Sequence, residues 1–247
     1  MQKHMLVLAK SYKRGGFCIA GIEVGYAANG GQVLKRNWLR PVAADYSDKC
    51  TEPMPKSVCG SFRVGDVVQL DLVAPRPMVA QPENWLWQGS DIHLAHRSAN
   101  PIALQTIANS ANSIWCDPAT GRDDQISASY AKSQEIDSSL MLVAPQNLVL
   151  TLELSQTATG TRRRILASFV HKGQAFQRIA VTDPAVFAVF CNQFPSVPGA
   201  WVQKTLNHND NYWLTLSLSP AFGTPAHHYV LVAAVIDHTG YMNRNYG

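Results

Sequence analysis

The densest positive cluster in the sequence is a run of three adjacent arginines, Arg162, Arg163 and Arg164. Lys172 and Arg178 follow on the hairpin that the alternation of apolar residues predicts there. Guanidinium and ammonium groups on such an edge would contact the phosphates of a nucleic acid. The alternative role is protection of an edge strand, because charged side chains there deter aggregation.

A second basic stretch lies near the N-terminus, where Lys10, Tyr12, Lys13 and Arg14 precede a pair of glycines. Paired glycines favour a tight turn between two strands, since glycine adopts positive φ at little cost. The cations of such a turn would grip phosphates while Tyr12 stacks on a base. A solvated turn that is basic by chance is the alternative.

Two further pairs combine an aromatic ring with a polar group. Trp38 and Arg40 alternate onto one face of a short predicted strand, where the arginine would bind phosphate and the tryptophan would stack on a base. Asn84 and Trp85 lie in a predicted loop, where Asn84 would hydrogen-bond a base edge or a mononucleotide. The alternatives are structural: a core tryptophan with an arginine that caps a carboxylate, and a loop anchored by Trp85.

Common catalytic motifs are missing from the sequence. It contains no G-x-G-x-x-G after a strand, no G-x-x-x-x-G-K-[ST], no G-x-S-x-G and no H-E-x-x-H. Asp91, His93 and His96 would have to carry any metal-dependent nuclease site, although their spacing is common by chance and a further ligand is needed. We therefore expect no metal and no cofactor, and a binding protein rather than an enzyme.

The composition is that of a folded, mildly basic protein. Of 247 residues 46% are hydrophobic and only 15% are charged, which argues against long disordered regions. The net charge of +4 is compatible with a polyanionic partner without demanding one. The five cysteines are scattered, and no apolar stretch has the length of a signal sequence or a membrane span. We therefore expect reduced thiols, a cytoplasmic location and no membrane contact.

Period-2 alternation makes both halves of the chain rich in predicted strands, as in residues 65–73 and 147–155. Pro101 and Pro184 are suited to the first helical position, so each half also contains a predicted helix. Four or five strands and one helix are the elements of a small Greek-key barrel such as the OB-fold. We predict a mostly β fold with short helices and two OB-like barrels in tandem, at residues 1–115 and 147–247, joined by an irregular segment at 116–146.

Several segments also match, in order, those of a known family. They are LAKSYKRGGFCIAG at 8–21, WLRPV at 38–42, QPENW at 81–85, LSL at 216–218 and YVLVAAVI at 229–236. Together they resemble the dual OB-containing domain family of bacterial proteins. The resemblance implies two OB-like barrels in one unit and a nucleic-acid role in bacterial conflict or anti-phage defence, and it supplies no catalytic residues.

The leading hypothesis is therefore a non-catalytic protein that binds single-stranded DNA or RNA. Basic loops would hold the backbone of the nucleic acid and exposed aromatic rings would stack on its bases. The first alternative is a protein-interaction subunit that docks a nuclease or ATPase effector, since low charge and several tryptophans also suit a protein interface. The second alternative is the metal-dependent nuclease described above.

Overall fold

Two β-sheets and a few short helices make up the fold. The computed structural model describes residues 1–13, 15–28, 32–43, 52–60, 62–96, 101–109, 113–206 and 212–239. The predicted fold class, mostly β with short helices and two OB-like barrels, is confirmed.

The first barrel is a ring of five strands. They are β1 (Gln2–Lys13), β2 (Gly16–Tyr26), β3 (Gln32–Val42), β4 (Val67–Pro75) and β5 (Asn84–Trp87). β1 pairs with both β2 and β4, β3 runs parallel to β5, and β5 pairs with β4, so the order 1-2-3-5-4 closes on itself. Helix α1 (Lys56–Cys59) falls between β3 and β4 in the chain, and β6 (His93–His96) adds to β4. Part of the predicted loop around Trp85 is thus the closing strand of the barrel.

Strand β1 is buried on both of its faces. Met5, Leu6, Val7 and Leu8 are each at most 3% exposed, so this run points alternately into the barrel and toward the rest of the protein. Its neighbour β2 approaches it closely at Gly21, where a Cβ atom would lie 1.8 Å from the carbonyl oxygen of Leu6. Glycine is therefore required at this position for the two strands to pair.

Residues 101–146 link the two barrels and contain elements of their own. They are α2 (Pro101–Asn109), a 3₁₀ turn (Pro118–Thr120), β7 (Gln125–Ser127), α3 (Ala128–Ser133) and β8 (Leu140–Val143). Helix α2 begins at its proline, as the sequence predicts, and α3 begins at Ser127, whose hydroxyl accepts from the amide of Tyr130 at 3.2 Å. The domain limits at 115 and 147 remain predictions. In the described ranges no helix is long and apolar enough to cross a membrane.

The second barrel repeats the strand order of the first. Its elements are β9 (Gln146–Thr157), β10 (Gly160–His171), β11 (Gln174–Val181), α4 (Pro184–Phe190), β12 (Trp201–Thr205), β13 (Tyr212–Leu218) and β14 (His227–Asp237). β11 runs parallel to β14, while β12 pairs with β9 and β13 with β14, so β12 and β13 together occupy the place of a fourth strand. β8 pairs with β13, and β7 pairs with β14.

Helix α4 begins where its sequence predicts. One carboxylate oxygen of Asp183 accepts from the amide of Ala185 at 2.9 Å, which is the cap expected before Pro184. The other oxygen accepts from the amide of Val235 on β14, also at 2.9 Å. The same side chain therefore begins the helix and ties it to the barrel.

The two barrels pack tightly against each other. The outer face of β8, β13 and β14 covers the first barrel, and Trp213, Ala234 and Ile236 join its core. Ala9 and Ala20, which are paired across β1 and β2, pack against Leu140 and Ala233 of the second sheet. Small side chains allow this close approach, so the outer face of β1 and β2 is covered by the second barrel.

Candidate functional site

An arginine-rich face lies on the outside of the second barrel. The register places Trp201 of β12 opposite Glu153 of β9, and Glu153 opposite Arg164 of β10, so the three side chains form a row on one side of the sheet. Arg162 precedes Arg164 by two residues and therefore faces the same way. Trp201 is 59% exposed although it is a large aromatic side chain.

Arg178 reaches this row from β11. Its Nη2 donates to Glu153 Oε1 at 2.6 Å, and its side chain is 59% exposed. The residue has a positive φ of 57° next to a register shift in the β10–β11 pairing, and its amide donates to Ser168 Oγ at 3.0 Å. Such an irregularity redirects a side chain out of the regular ladder. We call Arg162, Arg164, Arg178, Glu153 and Trp201 the basic face.

Two of the predicted phosphate contacts lie away from the basic face. Arg163 alternates to the other side of β10, where its Nη1 donates to the carbonyl oxygen of Cys191 at 3.4 Å and its guanidinium lies 5.3 Å from the centre of the Phe194 ring. Lys172 is in the turn at the far end of β10, about 26 Å along the strand from Arg164. The predicted cluster is therefore divided among three places.

Lys10, a predicted phosphate contact, is a buried structural residue. It is 2% exposed, and its ammonium donates to the carbonyl oxygens of Cys59 at 2.6 Å and Phe62 at 2.9 Å. Burial lowers the pKa of this ammonium, because the charged form loses its hydration. A nucleic acid at the surface does not reach this group, so we exclude Lys10 from the interface.

Tyr12, near the end of β1, already contacts other parts of the protein. Tyr12 is 52% exposed, but its ring already stacks on Phe17, with the ring centres 4.8 Å apart, and the Lys56 ammonium lies 5.0 Å from its centre. The Tyr12 amide donates to the carbonyl oxygen of Thr182 in the second barrel at 3.3 Å. Lys13 is half-buried beside it. The prediction for Arg14 lies outside the described residues.

Arg40 is part of a buried polar network that joins the barrels. Its Nη2 lies 3.2 Å from Glu83 Oε1 and donates to Ser139 Oγ at 2.8 Å and to Ser217 Oγ at 3.0 Å. Glu83 also accepts from the amide of Ser139 at 3.1 Å and from its hydroxyl. The side chains of Arg40 and Glu83 are only 9% and 4% exposed. The structural alternative, an arginine paired with a carboxylate, therefore applies to Arg40, which we exclude from the interface.

Asn84 continues this buried region and does not reach the surface. Its Nδ2 lies 3.4 Å from Gln81 Oε1, and Gln81 Nε2 donates to the carbonyl oxygen of Leu218 at 2.9 Å. Asn84 is fully buried, and its Oδ1 has no hydrogen-bond partner in the described part of the chain. The predicted contact between Asn84 and a base edge would require the barrels to separate, so we exclude Asn84 as well.

Trp38 and Trp85, predicted as separate stacking residues, face one cleft between the barrels. The cleft has a volume of about 1040 Å³. The first barrel provides these two rings, and the segment that links the barrels provides Trp115 and Tyr130. All four side chains are half-buried and pack against the core of their own side. The cleft is therefore lined by aromatic rings from two parts of the chain.

Paired charges lie within this cleft. The Lys3 ammonium lies 4.5 Å from the centre of the Trp85 ring and 3.0 Å from one carboxylate oxygen of Glu23. Lys35 lies 2.9 Å from the other oxygen of Glu23. Burial raises the pKa of Glu23, but the hydrogen bonds from Lys35 and Lys3 outweigh burial and lower it. The carboxylate of Glu23 is therefore held ionised by its two partners.

Sequence reasoning overlooked three of these aromatic residues. Trp201 and Val202 are consecutive in β12, so their side chains point to opposite faces of the strand. This alternation could have predicted that Trp201 is exposed. Trp115 and Tyr130 lie in a segment with no regular periodicity, so nothing local related them to Trp38.

The metal site considered for Asp91, His93 and His96 is not formed. His93 and His96 are three residues apart on β6, so their side chains point to opposite faces of the strand. Across the described ranges, no group of three or more His, Cys, Asp and Glu residues could hold a metal ion. The described residues thus offer no metal site around Asp91, His93 and His96, and the metal-dependent nuclease stays an untested alternative.

Two barrels with the strand order 1-2-3-5-4 define a protein built from paired OB-folds, and the comparison with known families agrees. The profile of the dual OB-containing domain matches residues 3–235, and the chain belongs to this family. No curated protein matches the chain. The resemblance inferred from the sequence segments is thus confirmed at the level of family and fold, and function has to be argued from the site.

Proposed function

We propose that this protein binds single-stranded nucleic acid along the basic face of its second barrel. The observation that carries the proposal is the row in which an exposed tryptophan, Trp201, lies beside Glu153 and Arg164 on neighbouring strands. A single strand is held by cations that follow its backbone and by aromatic rings on which its unpaired bases stack. Both kinds of group are present on this one surface.

The charge of the basic face suits a polyanion. Three arginines and one glutamate leave it a net charge of +2, and only Arg178 has the glutamate as a partner. Within the described residues Arg162 and Arg164 form no ion pair, so binding a phosphate would break no existing interaction of theirs. Three phosphate contacts would make log K fall with log salt with a slope of about −2, at about 0.7 per contact for single strands.

The position of the face on the fold supports the same function. OB-folds bind oligonucleotides on the outer face of their second and third strands and on the loop between the first and second. In the second barrel those strands are β10 and β11, which carry Arg162, Arg164 and Arg178, and the loop lies just before Arg162. In the first barrel the second barrel covers β2 at Ala20, whereas most of β3 between residues 32 and 37 is exposed.

The test is fluorescence anisotropy with a labelled 15-nucleotide single strand across a salt series, with DNA, RNA and a duplex compared. Trp201→Ala should weaken binding between about fivefold and 150-fold, because stacking is worth about 1–3 kcal/mol per base. The double variant R162A/R164A should reduce the salt slope from about −2 to about −0.7. Lys172→Ala is the matched control, since it also removes an exposed cation but lies away from the face.

Binding without a salt slope would refute the proposal, as would equal losses in Lys172→Ala and the arginine variants. The effector partner and the setting in bacterial conflict remain predictions that accompany this proposal. Co-purification from the native host, with and without R162A/R164A, separates a protein partner from a nucleic acid. A partner that the double variant retains would not be bound through the basic face.

A further inference from the structure

We propose that the cleft between the barrels is a second binding site, specific for an uncharged nucleobase with its sugar. The site is distinct from the basic face and does not depend on the function proposed for it. Its volume of about 1040 Å³ is slightly above the usual range of small-molecule sites, about 300–1,000 Å³. It also lies between two domains, where such sites are common.

The aromatic lining favours a planar ligand. Trp38 and Trp85 approach from the first barrel, and Trp115 and Tyr130 from the segment that links the barrels. Each ring is anchored in a core yet remains partly exposed to the cleft, so little side-chain freedom is lost when a ligand stacks on it. Four aromatic rings in one cleft offer a heterocycle several surfaces on which to stack, which a single surface tryptophan does not.

The charges of the cleft balance, which favours an uncharged ligand over a phosphate. Glu23 is neutralised by Lys3 and Lys35, and Glu83 by Arg40. Arg36, Glu135 and Asp137 are exposed at its edge. The cations of the lining and its partners are Lys3, Lys35, Arg36 and Arg40, and the anions are Glu23, Glu83, Glu135 and Asp137. Four charges of each sign leave no field that would attract a polyanion.

Polar groups at the edge match the hydrogen-bonding groups of a nucleoside. Asn37, Gln134 and Gln174 are exposed amides that line the cleft, and an amide can donate to and accept from a base edge at once. The carboxylates of Glu135 and Asp137 can accept hydrogen bonds from sugar hydroxyls. Neither of them has an ion-pair partner in the described part of the chain.

The walls of the cleft are held in place before any ligand binds. Glu83 and Ser138 line it, and the bonds of Glu83 to Arg40 and Ser139 join the two barrels directly behind them. A site that is already formed loses less free energy on binding than one that must close around its ligand. A small ligand that makes few contacts can therefore bind here, because little of its binding free energy is lost in closing the site.

The experiment is a titration followed by tryptophan fluorescence and by calorimetry, with adenosine, guanosine, cytidine and uridine and with their 5′-monophosphates. We expect at least one nucleoside to bind, its monophosphate to bind no more tightly, and the affinity to be independent of salt. Trp115→Leu should weaken binding about tenfold or more. Gln134→Ala, an exposed change that leaves the packing intact, should weaken it a few-fold. Trp201→Ala is the control and should leave it unchanged.

Several results would overturn the proposal. They are the absence of binding by every nucleoside, tighter and salt-dependent binding of the monophosphates, equal binding of a disaccharide without a base, and loss of nucleoside binding in Trp201→Ala. The base in the cleft could belong to a free nucleoside or to a nucleotide of a single strand, and titration of Trp115→Leu with the labelled single strand distinguishes the two. Weaker strand binding indicates that the cleft takes a base of the strand, and unchanged strand binding indicates that it takes a free nucleoside. Thermal melting of each variant checks that it is folded.

Discussion

Replacing Glu83 by glutamine is the most direct perturbation of the contact between the barrels, because it keeps the side chain's size and removes its charge. Arg40 would then hold a positive charge on a side chain that is 9% exposed, with neutral acceptors such as the hydroxyls of Ser139 and Ser217 in place of a carboxylate. Breaking a buried pair by removing one partner costs about 3–5 kcal/mol, since the remaining charge is not compensated. That is a large part of the about 5–15 kcal/mol that stabilises an ordinary domain.

The same substitution elsewhere in the chain provides the control. Glu153 forms a shorter ion pair with Arg178, at 2.6 Å against 3.2 Å for Arg40 and Glu83, but the side chain of Arg178 is 59% exposed. Exposed pairs contribute about 0–1 kcal/mol, so Glu153→Gln should change the free energy of unfolding by less than about 1 kcal/mol. The contrast between the two variants isolates burial, because the chemical change is identical.

Urea unfolding at neutral pH, followed by fluorescence and circular dichroism, measures both variants. The urea midpoint of Glu83→Gln should fall sharply. Coincident fluorescence and circular-dichroism curves indicate a single two-state transition, for which one free energy of unfolding is defined. Adding Arg40→Met to Glu83→Gln should cost less than the sum of the single changes, because the uncompensated charge is gone. A loss below about 1 kcal/mol in Glu83→Gln, or strictly additive changes, would refute the reasoning.

Three further outcomes are expected. Glu153→Gln should strengthen binding of the single strand, because it removes the carboxylate that competes with phosphate for Arg178; unchanged or weaker binding in the anisotropy assay would contradict this. Burial raises the pKa of the Cys59 thiol to about 12, so iodoacetamide at pH 8 should modify Cys59 only after unfolding. Peptide mapping measures the modification, and a rate for Cys59 equal to that of the exposed Cys191 would refute this prediction. Burial also lowers the pKa of His171 from 6.5, so the unfolded chain takes up a proton that the native protein does not, and stability present above pH 6.5 is lost as the pH falls. His171→Gln should reduce that loss in urea midpoints between pH 7.5 and 5, and an unchanged loss would argue against it.

Local signals in the sequence predicted much of the fold. The alternation at 147–155 corresponds to β9, and the hairpin predicted after the three arginines corresponds to β10 and β11. Asp183 and Pro184 begin α4. These features depend on residues that are close in the sequence, as where Asp183 accepts a hydrogen bond from the amide of Ala185 two residues later. Residue type and spacing are therefore sufficient to predict structure that depends on residues close together in the sequence.

The roles of Lys10, Arg40 and Asn84 were not predictable in the same way. The hydrogen-bond partners of Lys10 are 49 and 52 positions away, and Arg40 and Ser139 are 99 positions apart. Alternation indicates that Arg40 shares a face with Trp38, but it does not indicate that another barrel covers that face. An exposed and a buried arginine have the same local pattern, so burial had to come from the structure.

The two barrels share a strand order yet differ in what their outer faces can do. In the first barrel the outer face of β1 and β2 carries Ala9 and Ala20, and the second barrel lies on them. At the corresponding strands of the second barrel, β9 and β10, the outer face carries Glu153 and Arg164 and stays open. The face covered by alanines is unable to hold a polymer, because the neighbouring barrel occupies the space. We therefore assign the proposed single-stranded ligand to the second barrel, and the proposed uncharged ligand to the cleft, where the charges of the lining and its partners balance.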